Sequence, residues 1–264
     1  MRGSHWWIGI VLAAFVTVPV AWSDEDQNEP SRGEAQEKDQ KAATSPTDDP
    51  PMKTTTMPVF VPPNRGSPIA RLGGATRSAS GDTLPRIEAL VPQEAGWTLR
   101  EDPVLYWYLS KMTDVRIDFV LLRLDPTEPV VETTLPSTKS AGIQRVRLAD
   151  HGVKLEPGVS YQWLVKLVPR PDDRSYDRIV GGGVERVEAS AELAKALGDP
   201  EASQAHELAE GGIWYDAVDS LSTQIEADPE NRTLWNQRTA LFEQVGLPEL
   251  PLEEGSAPGL ERSP

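Results

Sequence analysis

The hydrophobic period of this chain changes from about two residues to about 3.6 near Glu188, and this change limits the possible folds more than any other feature. Before it, short apolar or alternating runs are separated by turn residues such as Asp125-Pro126. Seven runs are predicted as strands: residues 86–91, 104–109, 115–124, 130–135, 143–148, 161–168 and 179–187. Because no helical pattern lies between them, we expect an antiparallel β-sandwich of the immunoglobulin or fibronectin type III kind.

After Glu188 the apolar residues recur at helical spacing. Ser190 predicts the cap of a short helix that ends at Gly198, and Asp199-Pro200 predicts the start of a second helix. The apolar faces of two further helices comprise Ile213, Ala217, Leu221 and Ile225 in one, and Leu234, Leu241 and Val245 in the other. The predicted fold class is therefore mainly β with a small C-terminal α-helical segment.

Residues 1–23 have the layout of a secretory signal peptide. Arg2 is followed by an apolar core at residues 8–20, and the small residues Ala21 and Ser23 precede a cut before Asp24. The core is short for a membrane span, although an uncleaved N-terminal anchor is the alternative. We therefore expect a periplasmic or secreted protein that keeps no stable membrane span after the signal is removed.

The remaining chain divides by composition. Residues 24–82 are acidic and rich in proline and are predicted to be a disordered linker, and residues 248–264 a disordered tail. Within the linker, MPVFVPP at 57–63 is interpreted as an apolar spot, with a partner-binding motif as the alternative. Between the two lie the predicted sandwich, residues 83–188, and the predicted helical segment, residues 189–247.

Charge and cysteine content exclude several classes of function. The chain has 26 Lys and Arg against 41 Asp and Glu, a formal net charge of −15, so nucleic acid and anionic lipid surfaces should repel it. It has no cysteine, which excludes a disulfide framework and a thiol nucleophile.

Residues 169–187 are the stretch that most resembles a ligand site. For calcium, Asp173, Ser175 and Asp177 have the spacing of an EF-hand start, but Arg178 and Val184 stand where that loop needs glycine and a bidentate glutamate.

For phosphate, the three glycines at 181–183 lack the Lys-Ser/Thr that completes a phosphate loop. We therefore interpret residues 169–187 as a turn followed by a strand that glycine loosens or bulges.

No catalytic pattern is found elsewhere. The chain contains no Gly-x-Ser-x-Gly elbow and no His-Glu-x-x-His helix. His206, Glu207 and Glu210 are spaced as a metal cluster on a helix, but a solvated polar face is the preferred interpretation. We predict no catalytic residue, no cofactor and no metal, and hence no enzyme.

Two groups of aromatic residues stand out. Tyr106, Trp107 and Tyr108 must point to both faces of a strand, so they are core residues or, where exposed, a surface that stacks on a sugar. Trp214 and Tyr215 open a helix, and we expect Trp214 to be buried where that helix meets the sandwich.

The stretch LEPGVSYQW at 155–163 resembles the entry to strand F of fibronectin type III domains. In that family a Pro-Gly turn leads to a tyrosine whose hydroxyl closes the corner between the sheets. The resemblance places Tyr161 at this corner, with Trp163 on the same side of the strand as a second signature of the fold.

The helices resemble a tetratricopeptide unit. Counted from Pro229, Gly212 takes the small inter-helix position and Ala217 a packing position of the second helix, while Trp235 and Phe242 match the next first helix. However, Glu201 stands at the tryptophan position, and one and a half repeats cannot bury a core alone. The helices are therefore expected to pack on the sandwich or on each other.

Several segments in one order resemble the bacterial family known as domain of unknown function 928, over about residues 86–247. They are WYLS at 107–110, FVLL at 119–122, the Pro-Gly-x-x-Tyr-x-Trp entry at 157–163, DRS-x-D at 173–177 and G-x-WYDA at 212–217. The resemblance implies an exported protein and supplies no activity.

The motif positions carried over from this resemblance are Arg174, Ser175, Asp177, Trp214, Tyr215 and Asp216. We expect a structural or interaction role for them, with Arg174 and Asp177 tying the last hairpin to the helical cap.

These observations favour an exported, non-enzymatic interaction or assembly module of the bacterial cell envelope, which binds another envelope or periplasmic protein. The partner would bind at an edge strand or on the helices. The alternative is a carbohydrate-binding module or weak glycan hydrolase, which requires two carboxyl groups in a pocket beside Tyr106 or Tyr108. A third alternative is that the helices only complete the core of the protein.

Overall fold

The computed structural model describes residues 56–63, 70–73, 84–136, 140–200, 202–247 and 250. The predicted signal peptide lies outside these residues, as do most of the predicted linker and tail. The strands and the helices belong to one compact unit, Lys53–Pro264.

Within the described residues, eight strands form two sheets. They are β1 (Ile87–Ala89), β2 (Gly96–Thr98), β3 (Val104–Leu109), β4 (Arg116–Leu124), β5 (Thr127–Leu135), β6 (Gly142–Arg147), β7 (Ser160–Val168) and β8 (Arg178–Arg186). One sheet has the order β1-β3-β6, and the other the order β2-β8-β7-β4-β5. All neighbours are antiparallel except β2, which pairs with β8 in parallel.

The prediction of a mainly β fold with a C-terminal helical part is confirmed. Each of the seven predicted runs overlaps one strand. β2 was not predicted because its residues Gly96, Trp97 and Thr98 include a single apolar side chain and form no apolar run. β5 begins at Thr127, three residues before its predicted start, because only Asp125-Pro126 separates it from β4.

Alternation along the strands builds one core from both sheets. In β7 every second residue from Tyr161 to Leu167 is buried, and the partners of Trp163, Val165 and Leu167 in β4 are Leu121, Phe119 and Ile117. β3 differs because all six of its residues are buried. Since neighbouring side chains of a strand point to opposite faces, another layer must cover its second face.

The four helices supply that layer. They are α1 (Ala191–Leu197), α2 (Gln204–Glu210), α3 (Trp214–Ala227) and α4 (Arg232–Gln244). Each helix packs on the next along the chain, and α3 also packs on β2 and β3. Among the described residues, no helix is both long enough and apolar enough to cross a membrane.

One of the two predicted helix starts is confirmed. Ser190 caps α1, because its hydroxyl accepts a hydrogen bond from the Leu193 N–H at 3.1 Å. The predicted helix start at Asp199-Pro200 is wrong. The Ala202 N–H closes a single turn on the Asp199 carbonyl, and α2 begins at Gln204, where the Ser203 carbonyl accepts the first helical bonds.

The glycines at 181–183 do not form a bulge. β8 pairs with β7 in unbroken register, with Gly182 opposite Trp163. A Cβ on Gly182 would lie 2.7 Å from Cγ2 of Val91, and a Cβ on Gly181 would overlap the carbonyl oxygen of Trp163. Glycine is therefore required at these positions because other residues pack closely against β8. The hydrophobic periodicity of the sequence cannot distinguish such close packing from a loosened strand.

We predict that Gly181→Ala lowers the free energy of unfolding by about 3 kcal/mol, because the added methyl group meets backbone that cannot rotate away. Gly198→Ala is the matched control: its Cβ would have its nearest neighbour at 3.3 Å, and its φ is negative. Urea unfolding measures both variants. Equal stability of the two variants would contradict this account of the glycine run.

Candidate functional site

The first turn of α3 joins the helices to both sheets. The Trp214 indole N–H donates a hydrogen bond to the Leu90 carbonyl at 2.9 Å. The Tyr215 hydroxyl donates to the Gly183 carbonyl at 2.8 Å and accepts from the indole N–H of Trp163 at 2.8 Å. Because Trp163 lies on the core face of β7, the Tyr215 ring reaches into the core between the sheets.

Asp216 completes this joint. One carboxylate oxygen accepts a hydrogen bond from the Thr98 hydroxyl at 2.6 Å, and the other accepts from the Leu99 N–H at 2.8 Å. Burial raises the pKa of Asp216, although both hydrogen bonds and the charge of Arg100 oppose the rise. The three predicted motif residues at 214–216 thus hold β2, β7 and β8 against the helices.

A second polar network lies on the outer face of β3. The Tyr106 hydroxyl donates to Asp219 of α3 at 2.7 Å, and the Arg238 guanidinium of α4 donates to the Ser222 hydroxyl at 3.1 Å. Burial raises the pKa of Tyr106 and lowers the pKa of Arg238 to about 10. In this second network burial therefore favours the neutral phenol of Tyr106 and disfavours the charged form of Arg238.

The aromatic run of β3 offers no surface for a sugar. Tyr106, Trp107 and Tyr108 are only 4%, 1% and 2% exposed. The core interpretation of these rings is confirmed, and the stacking face on which the carbohydrate alternative relied does not exist in β3.

The residues Arg174, Ser175 and Asp177 lie in the turn between β7 and β8. The Arg174 Nε–H donates to Asp177 at 2.7 Å, and its guanidinium lies 3.6 Å from Asp118 of β4. The Ser175 N–H and hydroxyl both donate to the Asp173 carboxylate, at 3.1 and 2.6 Å. The expectation that Arg174 and Asp177 tie the hairpin to the helices is wrong, since this turn is fixed to the neighbouring strand instead.

An extended segment of the chain lies across the helices. We call residues 56–63 the strap, and we call the surface beneath it the strap groove, formed by His206, Ala209, Trp214, Gln237, Phe242 and Gln244 of α2, α3 and α4. These residues belong to the predicted linker. Packing rather than disorder is found there because Phe60 buries its ring against the helices.

Polar groups of the groove bind the backbone of the strap. The Gln244 side-chain amide donates to the Pro58 carbonyl at 2.9 Å and accepts from the Phe60 N–H at 2.8 Å. A ring nitrogen of His206 and the Gln237 amide contact the Thr56 carbonyl at 2.8 and 3.2 Å. The Val61 N–H donates to the Ala209 carbonyl at 3.1 Å.

The strap side chains alternate between groove and solvent. Pro58 and Phe60 are buried, and the Phe60 ring meets Trp214 edge-on at 4.9 Å between centroids. Val59 and Val61 are 61% and 48% exposed. The groove therefore recognises an extended backbone through side-chain hydrogen bonds and recognises one aromatic side chain through an apolar pocket.

Residues 70–73 form a second attachment of the predicted linker. The Arg71 guanidinium donates to the Val91 carbonyl at 3.1 Å and to the Val245 and Gly246 carbonyls at 3.3 Å, at the end of α4. Leu72 pairs with Gly181 on the edge of β8. The chain is thus attached to the folded unit at residues 56–63 and again at residues 70–73.

An open cleft of about 660 Å³ lies beside α3 and the end of β2. Its lining includes Arg100, Asp216, Asp219, Thr223 and Gln224. Asp216 and Asp219 are three residues apart on one helix, a spacing that places both carboxyl groups on the same face.

The metal alternative for His206 has no structural support. His206 contacts the strap instead, and within the described ranges no three His, Asp or Glu side chains are grouped to hold a metal ion.

Sequence reasoning did not find Gln237, Gln244 or Asp219, because a glutamine or an aspartate on a helix carries no signal until its neighbour is known. The available signal was the MPVFVPP motif itself, in which prolines favour an extended chain around one aromatic residue.

We predict that Asp216→Asn flattens the pH dependence of stability. The folded-state pKa of Asp216 is raised, so the wild type is favoured below the ordinary Asp pKa and loses this stability as the pH rises through the raised value. The amide of the variant cannot ionise but can still accept from Leu99. Melting temperatures between pH 4 and 8 test this, and parallel curves for the two proteins would refute it.

In the same series, Asp216→Ala should lower the free energy of unfolding by about 2 kcal/mol at pH 4, because it removes the acceptor of the buried Thr98 hydroxyl. The loss should become smaller towards pH 8, since the wild type itself loses stability as the buried Asp216 ionises. A loss that grows as the pH rises would contradict the raised pKa of Asp216.

Comparison with curated proteins gives no match. A family model, described as Domain of Unknown Function (DUF928), matches residues 72–254, a range that includes all eight strands, all four helices and the joint at 214–216. Since this match covers well over half of the chain, the protein belongs to the DUF928 family.

Proposed function

We propose that this protein is an exported, non-enzymatic interaction module of the bacterial cell envelope, and that its helical segment binds an extended stretch of another envelope or periplasmic protein. The observation that carries the proposal is the strap groove. It binds a polypeptide through backbone hydrogen bonds and one aromatic pocket, the combination by which proteins recognise extended peptides.

The finer fold belongs to the same proposal. Labelled in chain order, β1, β3 and β6 correspond to strands A, B and E of an immunoglobulin-like domain, and β4, β5, β7 and β8 correspond to C, C′, F and G. The Tyr161 hydroxyl accepts a hydrogen bond from the Glu156 N–H at 3.2 Å, which supports a tyrosine corner. Such domains are common scaffolds for binding.

A tetratricopeptide-like arrangement supports the choice of the helices as the contact. In that arrangement α2 and α4 are the first helices of two successive units, and the strap contacts both. Gly212, at the inter-helix position, has a φ of +76° and lies where a Cβ would be 3.0 Å from the Val61 carbonyl. Stacked helix pairs commonly present such a surface to an extended partner.

The N-terminal segment and the net charge support the proposed location in the cell envelope. The signal-like layout of residues 1–23 supports export, and the net charge of −15 opposes nucleic acid as a partner. We therefore expect the partner in the periplasm or at the cell surface.

Photo-crosslinking in the native host tests the proposal. A photoreactive phenylalanine analogue replaces Gln244, an exposed groove residue, in a protein with a C-terminal affinity tag. The matched control replaces Gln224, an exposed glutamine of α3 whose side chain, among the described residues, hydrogen-bonds to Ser220 and not to the strap. We expect one envelope protein to be crosslinked from position 244 and not from position 224.

The other outcomes each have a defined meaning. A crosslink from position 224 alone would transfer the contact to the cleft that Gln224 lines and would refute the groove as the binding surface. The absence of a protein adduct from both positions, with each variant folded and exported, would refute the interaction function.

The second candidate function is binding or slow hydrolysis of an envelope glycan in the cleft. It is favoured by the carboxyl groups of Asp216 and Asp219, which line the cleft beside Tyr106. However, both oxygens of Asp216 already accept hydrogen bonds, and the Tyr106 ring is buried. Glycan-array binding that disappears in Asp219→Asn would favour this candidate, and binding unchanged in that variant would exclude it.

A further inference from the structure

We infer that the strap is an intramolecular competitor for the strap groove, and that the partner enters as an extended segment with a proline two residues before an aromatic residue. The inference deepens the proposed function and rests on it. The partner's segment must share the proline and the aromatic residue of the strap, and it must displace the strap from the groove.

The strap is held by contacts that another peptide could reproduce. The polar contacts of the groove are made to the main-chain groups of Thr56, Pro58, Phe60 and Val61. Main-chain bonds of this kind provide affinity for any extended chain of suitable side chains.

Two strap residues provide the selectivity. Phe60 is 7% exposed against Trp214, and Pro58 is buried beside it, whereas Met57, Val59 and Val61 are 45%, 61% and 48% exposed. Only the Pro-x-Phe pair is therefore specified by the groove. Pro58, Pro62 and Pro63 favour an extended chain before binding, which reduces the entropy lost when the segment is ordered.

The attachment at residues 70–73 explains how the strap can leave without unfolding the sandwich. Arg71 and Leu72 bind the end of α4 and the edge of β8 through their own hydrogen bonds, none of which involves the strap. The strap then stays covalently linked to the attachment at residues 70–73 and competes as a linked ligand. A short tether gives an effective concentration of about 1 mM, so free ligands of modest affinity are excluded.

A peptide-binding assay tests the inference on the full chain. The probe is the labelled peptide TMPVFVPP, the sequence of residues 56–63, and binding is followed by fluorescence anisotropy. We expect weak binding to the wild type and about 100-fold tighter binding to Phe60→Ala, in which the strap loses its anchor while the groove keeps its residues. A probe with alanine in place of phenylalanine should bind neither protein.

A matched pair of glutamine variants locates the site. Adding Gln244→Ala to Phe60→Ala should weaken probe binding about 10-fold, because two backbone hydrogen bonds are lost. Adding Gln224→Ala should leave binding unchanged, since in the described part of the chain that side chain bonds Ser220 of its own helix and no residue of the strap. Equal affinity of the wild type and Phe60→Ala would overturn the inference, as would an equal effect of both glutamine changes.

If Phe60→Ala does not fold, hydrogen exchange on the wild-type protein provides an independent test of the inference. We expect the amides of Phe60 and Val61 to exchange faster than those of β7, and to exchange faster still with excess unlabelled peptide. Exchange of the strap only together with β7 would show that the strap is a fixed part of the core and would overturn the inference. A dimer with exchanged straps would also overturn it.

The crosslinking and peptide-binding results together distinguish failure of the competitor role from failure of the proposed function. A protein adduct from position 244 without peptide binding would overturn only the competitor role and the Pro-x-aromatic preference. The absence of any adduct, with tight peptide binding to Phe60→Ala, would refute the envelope partner and leave the groove as a site for its own strap.

Discussion

The hydrogen bonds of Tyr215 are the interaction on which the rest of the structure depends. One hydroxyl satisfies both the indole of Trp163 and the carbonyl of Gly183, in the core between the sheets, while its own helix carries the surface that holds the strap. Unsatisfied polar groups at such a buried point would each cost about 1–3 kcal/mol. The position of α3 is therefore fixed by the core itself, and the other helices are placed by packing on α3.

This arrangement explains why so small a helical segment suffices. A short helical array cannot bury a continuous core on its own. Here the sheet β1-β3-β6 provides the missing layer, since the outer face of β3 is covered and Tyr106 bonds directly to α3. Arg145 of β6 adds an ion pair to Glu226 of the same helix. The helices and the sheets thus complete each other rather than form separately stable parts.

The sequence predicted what depends on local periodicity and missed what depends on distant neighbours. The strands, the Ser190 cap and the burial of Trp214 follow from alternation, capping chemistry and apolarity, all of which are readable within a few residues. The direction in which Arg174 points depends on whether β4 or a helix lies nearby, which local sequence does not contain. The strap was missed for the same reason, because Phe60 becomes a buried residue only once Trp214 and Gln244, more than 150 positions later, form its pocket.

The position of the strap along the chain has a mechanical consequence. Tension applied to the chain at Thr56 acts first on the bonds that Gln237, Gln244 and His206 make to the strap, and only then on the strands of the two sheets. The hydrogen bonds of the Arg71 guanidinium and the pairing of Leu72 with Gly181 then resist the force at the edge of β8. A force of this kind would pull the strap out of the strap groove while the two sheets stay intact. The segment that occupies the groove would then also be the segment through which force uncovers it.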